Sequence, residues 1–406
     1  MNRGLAILFG VLAGLPILIA LHMARGVAPL FALLCLGALA LHLWPRRQAL
    51  AVAGPYAPLL AAFCLWAVLS ALWSFDILAD GWGALRLGLM MAGGLLLVSA
   101  ANRLDARQGM LFRRAFALTY AALALLIAVD LASGMQVMRV SYALRNMYPP
   151  PDFNYTPDSK HRAVMLAVLL APAFLAARRE WGLKAALPLA AGAAGIILLH
   201  HSETSLICLV GLALAAPFAF KLPRLALWSG IVGLALLFAA PPFLHERMPE
   251  PVEIQRAHPW LSPSLLHRFV IWDYALGRIA ERPVLGFGFD AAREIGGREP
   301  KRHYYFDTLP DGKKLHPYFE PIPLHTHNGI IQLWLELGGV GAAIAVLLLI
   351  LTWKGALATS DPWRRAGSAA LFVAAMGPML SSYGLFQAWW VGSVWIAIAA
   401  LRAEQS

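Results

Sequence analysis

His325, His327 and Asn328 stand at the threshold of a long apolar run, in "PLHTHNGIIQLWLELGGVG" (323–341). The amino-terminal end of a helix carries free N–H groups and partial positive charge, which bias an imidazole toward the neutral form that a general base needs. The same helix end favours anions, phosphate oxygens among them. Asn328, Gln332 and Glu336 recur at i, i+4 and i+8. Such a polar stripe on an apolar helix faces a bundle interior or a wet cavity, not lipid.

Cationic groups that could meet an anion are also present. Arg268 sits on the apolar side of "SLLHRFVIWDYALGRIAERP" (264–283), where a guanidinium either snorkels to headgroups or finds an anion. Arg86, near the end of another apolar run, has the same choice. Arg139 and Arg145 share a loop with Lys160, His161 and Arg162, and the last three precede a helix whose amino end could hold phosphate. Zinc on His316, His325 and His327 lacks a fourth ligand at a suitable spacing and any nearby Cys, so neither metal nor cofactor is expected. There is no Walker motif, dinucleotide fingerprint or Gly-x-Ser-x-Gly elbow. The chemistry implied is a base beside an anion site, without ATP.

The elements that must position these groups are membrane helices. Of 406 residues, 60% are hydrophobic and 14% charged, with mean hydropathy +0.65; a soluble domain averages about 25% charged. Apolar runs of spanning length recur about twelve times, at 4–22, 27–44, 53–73, 84–100, 112–133, 163–178, 184–199, 205–220, 225–243, 328–356, 366–383 and 388–402. The first run lacks a small-x-small cleavage site and is expected to be retained as a helix. The net charge of +11 needs no nucleic acid. Arg103, Arg113, Arg178, Lys221 and Arg364 lie in alternate connections, and this positive-inside bias places both termini in the cytoplasm. Cys35, Cys64 and Cys208 lie within apolar runs, so no disulfide framework is implied.

This topology divides the chain into an N-terminal bundle (1–243, about nine spans, with outer loop 134–162), a large outer loop (244–326) and C-terminal helices (327–406). In the large loop, Leu265, Phe269, Trp272, Leu276 and Ile279 have helical spacing, stopped by Pro283. "VLGFGFD" (284–290) reads as a glycine-punctuated turn, and 294–323 as irregular loop. His161, His200, His201, His245, His258, His267, His303, His316, His325 and His327 all fall on the outer side, with His22 and His42 elsewhere. A site facing outward is expected.

His327-Asn328, nine residues, then Gly338-x-x-Gly341, resembles a motif of the bacterial O-antigen ligase, O-antigen polymerase and protein O-oligosaccharyltransferase group. "SLLHRFVIWDYALGRIAERPVLGFGFD" is similar to the Ser-x-x-x-Arg-x-x-x-Trp … Pro-Leu-x-Gly-x-Gly block of the same group. The resemblance implies an all-α, GT-C-like polytopic fold whose periplasmic loop contains amphipathic helices. It also implies His327 and Arg268 as catalytic residues; the substrate-binding candidates beside them, read from the residues themselves, are His325, Asn328, Arg86, Arg145, Lys160, His161 and Arg162. Where the group tends to have Ser-Arg, "HSETSL" has Glu203, which leaves Arg86, Arg145 or Lys160 to supply the positive charge. Two further spans after Gly341 favour the ligase: a glycan passes from undecaprenyl diphosphate to lipid A–core at the periplasmic face of the bacterial inner membrane, with membrane lipid as the third partner. The alternatives are the polymerase, the protein oligosaccharyltransferase and, from another class, a transporter. A transporter would be expected to show internal repeats, and the chain has none.

Overall fold

The computed structural model describes residues 3–43, 56–148, 157–249, 251–261, 263–298, 302–303 and 318–403. The described residues form helices and their connecting turns, apart from a two-residue antiparallel pairing of Arg302–His303 with Tyr318–Phe319. Seven helical stretches among the described residues are long and apolar enough to cross a bilayer: Arg3–Ala40, Tyr56–Trp73, Ile77–Ala101, Ala106–Ala132, Pro157–Trp181, Glu203–Lys221 and Gly329–Leu357. Leu183–Leu198, Pro223–Ala239 and Ala388–Ala403 are shorter apolar helices. This is a multi-pass membrane protein.

The first stretch folds back on itself. Its 38 residues would run about 57 Å as a straight helix, nearly twice a hydrocarbon layer. The Phe9 ring instead packs on Gly37, so the segments before and after the turn at Ala24–Gly26 are antiparallel neighbours. Pro157–Trp181 is the central post. Its run Ala163–Val168 is fully enclosed, and helices pack around it on every side.

The two ends of the bundle differ in chemistry. At one end Arg113 and Arg114 share the Glu180 carboxylate at 2.7 and 2.9 Å, Arg178 stacks on Trp363, and Arg365 donates to the Ala219 carbonyl at 2.9 Å. At the other end gather His161, His200, His267, His325 and His327. His22, expected elsewhere, joins them, with Nδ1 2.8 Å from the Ser141 hydroxyl.

The helix Pro263–Glu281 forms as the apolar spacing predicts. Its buried face runs through Leu266, Ile271, Ala275, Leu276 and Ile279, turned one position from the expected stripe at its first turn. From Ile271 onward that face packs on Ile331 and Leu335 and on Ile295 of a short helix, Ala291–Arg298, while Leu266 clusters with Ile254. It therefore caps the bundle. The short helix also corrects the reading of 294–323 as irregular, since Ala291, Ala292 and Ile295 turn to the cap core.

A break in the long helix Gly329–Leu357 locks the cap in place. Gly338 has φ 64° and ψ −168°, far from helical. The break orphans backbone groups that a membrane interior cannot leave unpaired. Residues 283–288 lie alongside and supply the partners: Phe287 N–H donates to the Leu335 carbonyl at 2.9 Å and Gly288 N–H to that of Glu336 at 2.8 Å. Gly339 N–H donates to the Pro283 carbonyl at 2.8 Å and Val340 N–H to that of Val284 at 3.3 Å. The Trp66 indole takes the Leu337 carbonyl at 3.0 Å. Gly286 (φ 69°) and Gly338 touch backbone to backbone, and a Cβ on either would strike the other's amide nitrogen.

Gly338→Ala is therefore expected to destabilise by about 1–3 kcal/mol from the backbone conformation alone, with the clash against residues 284–286 added. Gly297→Ala, where nothing lies within 4 Å, should be nearly silent. Thermal unfolding in detergent of the two variants checks this; equal midpoints would contradict the locking role.

Candidate active site

Residues 325–328 form a tight hydrogen-bonded turn between cap and membrane helix. The Asn328 carbonyl oxygen Oδ1 accepts from Ile330 N–H at 3.0 Å and Ile331 N–H at 3.2 Å, capping the helix. The buried Thr326 hydroxyl donates to the Asn328 backbone carbonyl at 2.7 Å, and the Trp272 indole donates to the Thr326 carbonyl at 2.9 Å. His327 is held at φ 52°, an uncommon conformation for a side chain of this size that persists only where its surroundings impose it.

The protonation pattern of the two histidines follows from their partners. His327 Nδ1 lies 2.7 Å from the Ser382 carbonyl. A carbonyl only accepts, so Nδ1 carries the proton and Nε2 keeps the lone pair of the neutral ring. The His327 amide donates to His325 Nδ1 at 3.2 Å, so the His325 proton resides on Nε2. The rings meet edge to face, 4.3 Å apart. Burial lowers the His327 pKa to about 4, with Arg268 and His267 adding to the effect and the Ser382 carbonyl opposing it. His325 is pushed down to about 3 by burial, then by His327 and Arg293. Both rings are neutral at ordinary pH.

Arg268 projects from the cap helix on the His327 side. Its side chain is 13% exposed, and Nη1 lies 3.5 Å from Glu203 Oε2. Neighbouring His267 donates Nε2–H to the Glu320 carbonyl at 3.1 Å. The arrangement joins a neutral imidazole with a free lone pair to an enclosed guanidinium. It can remove a proton beside a site for an anion.

The polar stripe ends on structure, as its burial requires. Gln332 donates to Glu336 at 3.0 Å and accepts from Leu385 N–H at 2.9 Å; Glu336 accepts from Asp290 N–H at 3.0 Å. The stripe faces inward, and its polar groups hold the 283–290 segment and the 382–387 turn.

The remaining candidates separate. Arg162 is fully buried: Nη1 pairs with Asp130, Nε donates to His200 Nε2 at 3.1 Å and Nη2 contacts Met135 Sδ. Asp130, His200 and Met135 thus hold it within the bundle. Arg145 pairs with Asp158 at 2.7 Å and stacks on Tyr142. Lys160 is half-buried in the first turn of Pro157–Trp181. His161 packs against Tyr383 and Trp389 at ring distances of 5.2 and 4.8 Å. Arg86 is exposed, near enough to Asp290 for its charge to act there. His316 lies outside the described residues.

Sequence reasoning missed the 381–387 turn. There the helix Pro362–Ser381 ends: Ser382 and Tyr383 both donate back to the Pro378 carbonyl at 3.0 Å. The Ser382 carbonyl is thereby turned away from the helix and toward His327. Pro378 and Gly384 were the available signals, but a backbone acceptor has no side-chain signature.

Over residues 187–346 the chain matches the family model described as O-antigen ligase. A Rickettsia conorii protein named as a polysaccharide ligase is 30% identical over 183 residues, 45% of this chain and 40% of that relative. A Rickettsia felis protein of the same name is 30% identical over 186 residues, covering 46% and 42%. One from Rickettsia prowazekii is 32% identical over 180 residues, covering 44% and 40%. The match thus spans under half the length of these relatives. The matched segment contains Glu203, the cap and the His327 turn.

Removing Arg162 alone leaves Asp130 as an uncompensated buried charge, which typically costs about 3–5 kcal/mol. Arg162→Ala is expected to unfold at much lower temperature than the parent, and Arg162→Leu/Asp130→Leu to recover most of that loss. A double variant no more stable than the single one would show that the pair is not what matters.

Proposed function

We propose that this chain, of O-antigen ligase type over residues 187–346, transfers a glycan from undecaprenyl diphosphate to a sugar hydroxyl of lipid A–core. The acceptor hydroxyl gives its proton to His327 Nε2 and its oxygen attacks the anomeric carbon. The carbon–oxygen bond to the diphosphate breaks, and the leaving group departs with the electron pair. Arg268 faces the charge that grows on it. The observation that carries the reading is the His327–Ser382 hydrogen bond, which leaves the base nitrogen unprotonated and fixed in direction.

Lipid-borne donor and acceptor both explain why the groups sit at a membrane helix end beneath a cap. The His-rich end is proposed to face the periplasm and the Arg-rich end the cytoplasm, following the positive-inside bias. His325 and Asn328 shape the turn. Arg86 and Lys160 are proposed as outer contacts for the anionic lipids.

His327→Ala is expected to lower transfer about 10²–10⁴-fold with normal membrane insertion, read as glycan transfer to lipid A–core on a gel. The pH profile carries a sharper test. A lowered pKa means that the neutral base persists down to about 4, so kcat/KM should stay flat from pH 7 to about 5 and fall only below. An acid limb at the ordinary histidine value near 6.5 would refute the buried neutral base.

Histidine and arginine between them supply base and charge stabilisation, so no cation is required by the proposed step. Transfer by the purified protein is expected to persist in excess EDTA and not to rise with Mg²⁺, Mn²⁺ or Zn²⁺. Loss in chelator restored by one cation would overturn this.

A further inference from the structure

The buried stripe beyond His327 has a fixed order of donors and acceptors. Asp290 N–H donates to Glu336 Oε2 at 3.0 Å, Gln332 Nε2–H to Glu336 Oε1 at 3.0 Å, and Leu385 N–H to Gln332 Oε1 at 2.9 Å. Ala292 N–H also donates to the carboxylate. Gln332 and Glu336 are 3% and 0% exposed, so a mismatch among these groups would be costly. Backbone N–H groups stand at both ends of the series, and they can only donate. A carboxylate at 336 satisfies one end and turns the Gln332 amide so that its oxygen meets the other.

The turn reached by that oxygen carries the Ser382 carbonyl, 2.7 Å from His327 Nδ1. The near limb of the turn is held by Pro378 within its own helix. The far limb is held to the helix of Gln332 through Leu385. We infer that Glu336 and Gln332 are positioning residues for His327: the carboxylate orients the amide, the amide anchors the turn, and the turn aims the carbonyl that keeps the ring proton on Nδ1. This rests on the proposed reading of His327 as the base. Asp290 and Ala292 lie in the segment that follows the cap helix, so the tautomer of the base depends on how the cap is seated.

Glu336→Gln cannot preserve the order. Whichever way the new amide turns, an N–H faces another N–H at Asp290, at Gln332 or at Leu385. Gln332→Glu sets two acceptors against each other. The swapped variant, Gln332→Glu with Glu336→Gln, restores the order and keeps the charge. Its carboxylate accepts from Leu385 and from the new amide, whose oxygen has two lone pairs for Asp290 and Ala292.

The test reads the His327 tautomer in the full chain in detergent, by nitrogen NMR of the histidine rings, with the signal identified by its loss in His327→Ala. The parent should show Nδ1–H. Each single variant should show a mixture of tautomers, with kcat for glycan transfer lowered by up to about 10²-fold and KM nearly kept. The swapped variant should recover the tautomer and most of kcat, and it decides the matter even where a single variant fails to fold. Residues that only stabilise the bundle would lower the unfolding temperature and leave the tautomer alone. A folded single variant that keeps Nδ1–H, or a swapped variant that lacks it, would overturn the inference. If the tautomers follow the expected pattern while the parent transfers no glycan, the transferase reading fails and the positioning of His327 stands.

Discussion

Everything at the site depends on how the broken helix at Gly338 is repaired. The orphaned groups of Leu335, Glu336, Gly339 and Val340 are satisfied by residues 283–288, the segment directly after the cap helix. In a bilayer no water can substitute, so the pairing is obligatory rather than merely favourable. It sets the depth and direction at which the cap helix leaves the membrane helix. That in turn decides where Arg268 stands relative to His327, although the two are far apart in the chain. The Trp272–Thr326 hydrogen bond ties the same two elements together at the other side of the turn.

Neutral imidazoles are the second consequence of this packing. The cap encloses His325 and His327, and enclosure raises the cost of a charged ring. The Ser382 carbonyl and the His327 amide then select one tautomer for each ring. The role proposed for His327 needs such control twice over, for a base must be unprotonated and its lone pair must point outward from the turn. The left-handed backbone at His327 is part of the same arrangement, since it carries the ring across to Ser382 while Asn328 remains free to cap the helix.

Much of this was legible in the residues. The His-Asn pair before an apolar run, the i, i+4, i+8 stripe and the amphipathic pattern of 264–283 each correspond to an observed element. Hydropathy located the bundle, and the family resemblance is borne out over 187–346. What escaped has a common physical cause: the function of a charged side chain depends on its partner, and the partner is distant in sequence. Arg162 and Arg268 are alike as residues in apolar surroundings, yet one meets Asp130 in the interior and the other meets Glu203 at the cap edge. The Ser382 carbonyl was invisible for another reason, because every residue has one.

The contrast between these two arginines also separates structure from reactivity. Arg162 is enclosed with a carboxylate that is itself fully buried, so neither charge can leave without exposing the other to an apolar interior. That pair is a permanent fixture. Arg268 is enclosed with a carboxylate that is half in water, where screening by solvent weakens the attraction between the two charges. A pair enclosed on both sides holds helices together, whereas one with an exposed acid contributes little to that hold. The difference lies in the solvent exposure of the acid, which is nil for Asp130 and about half for Glu203.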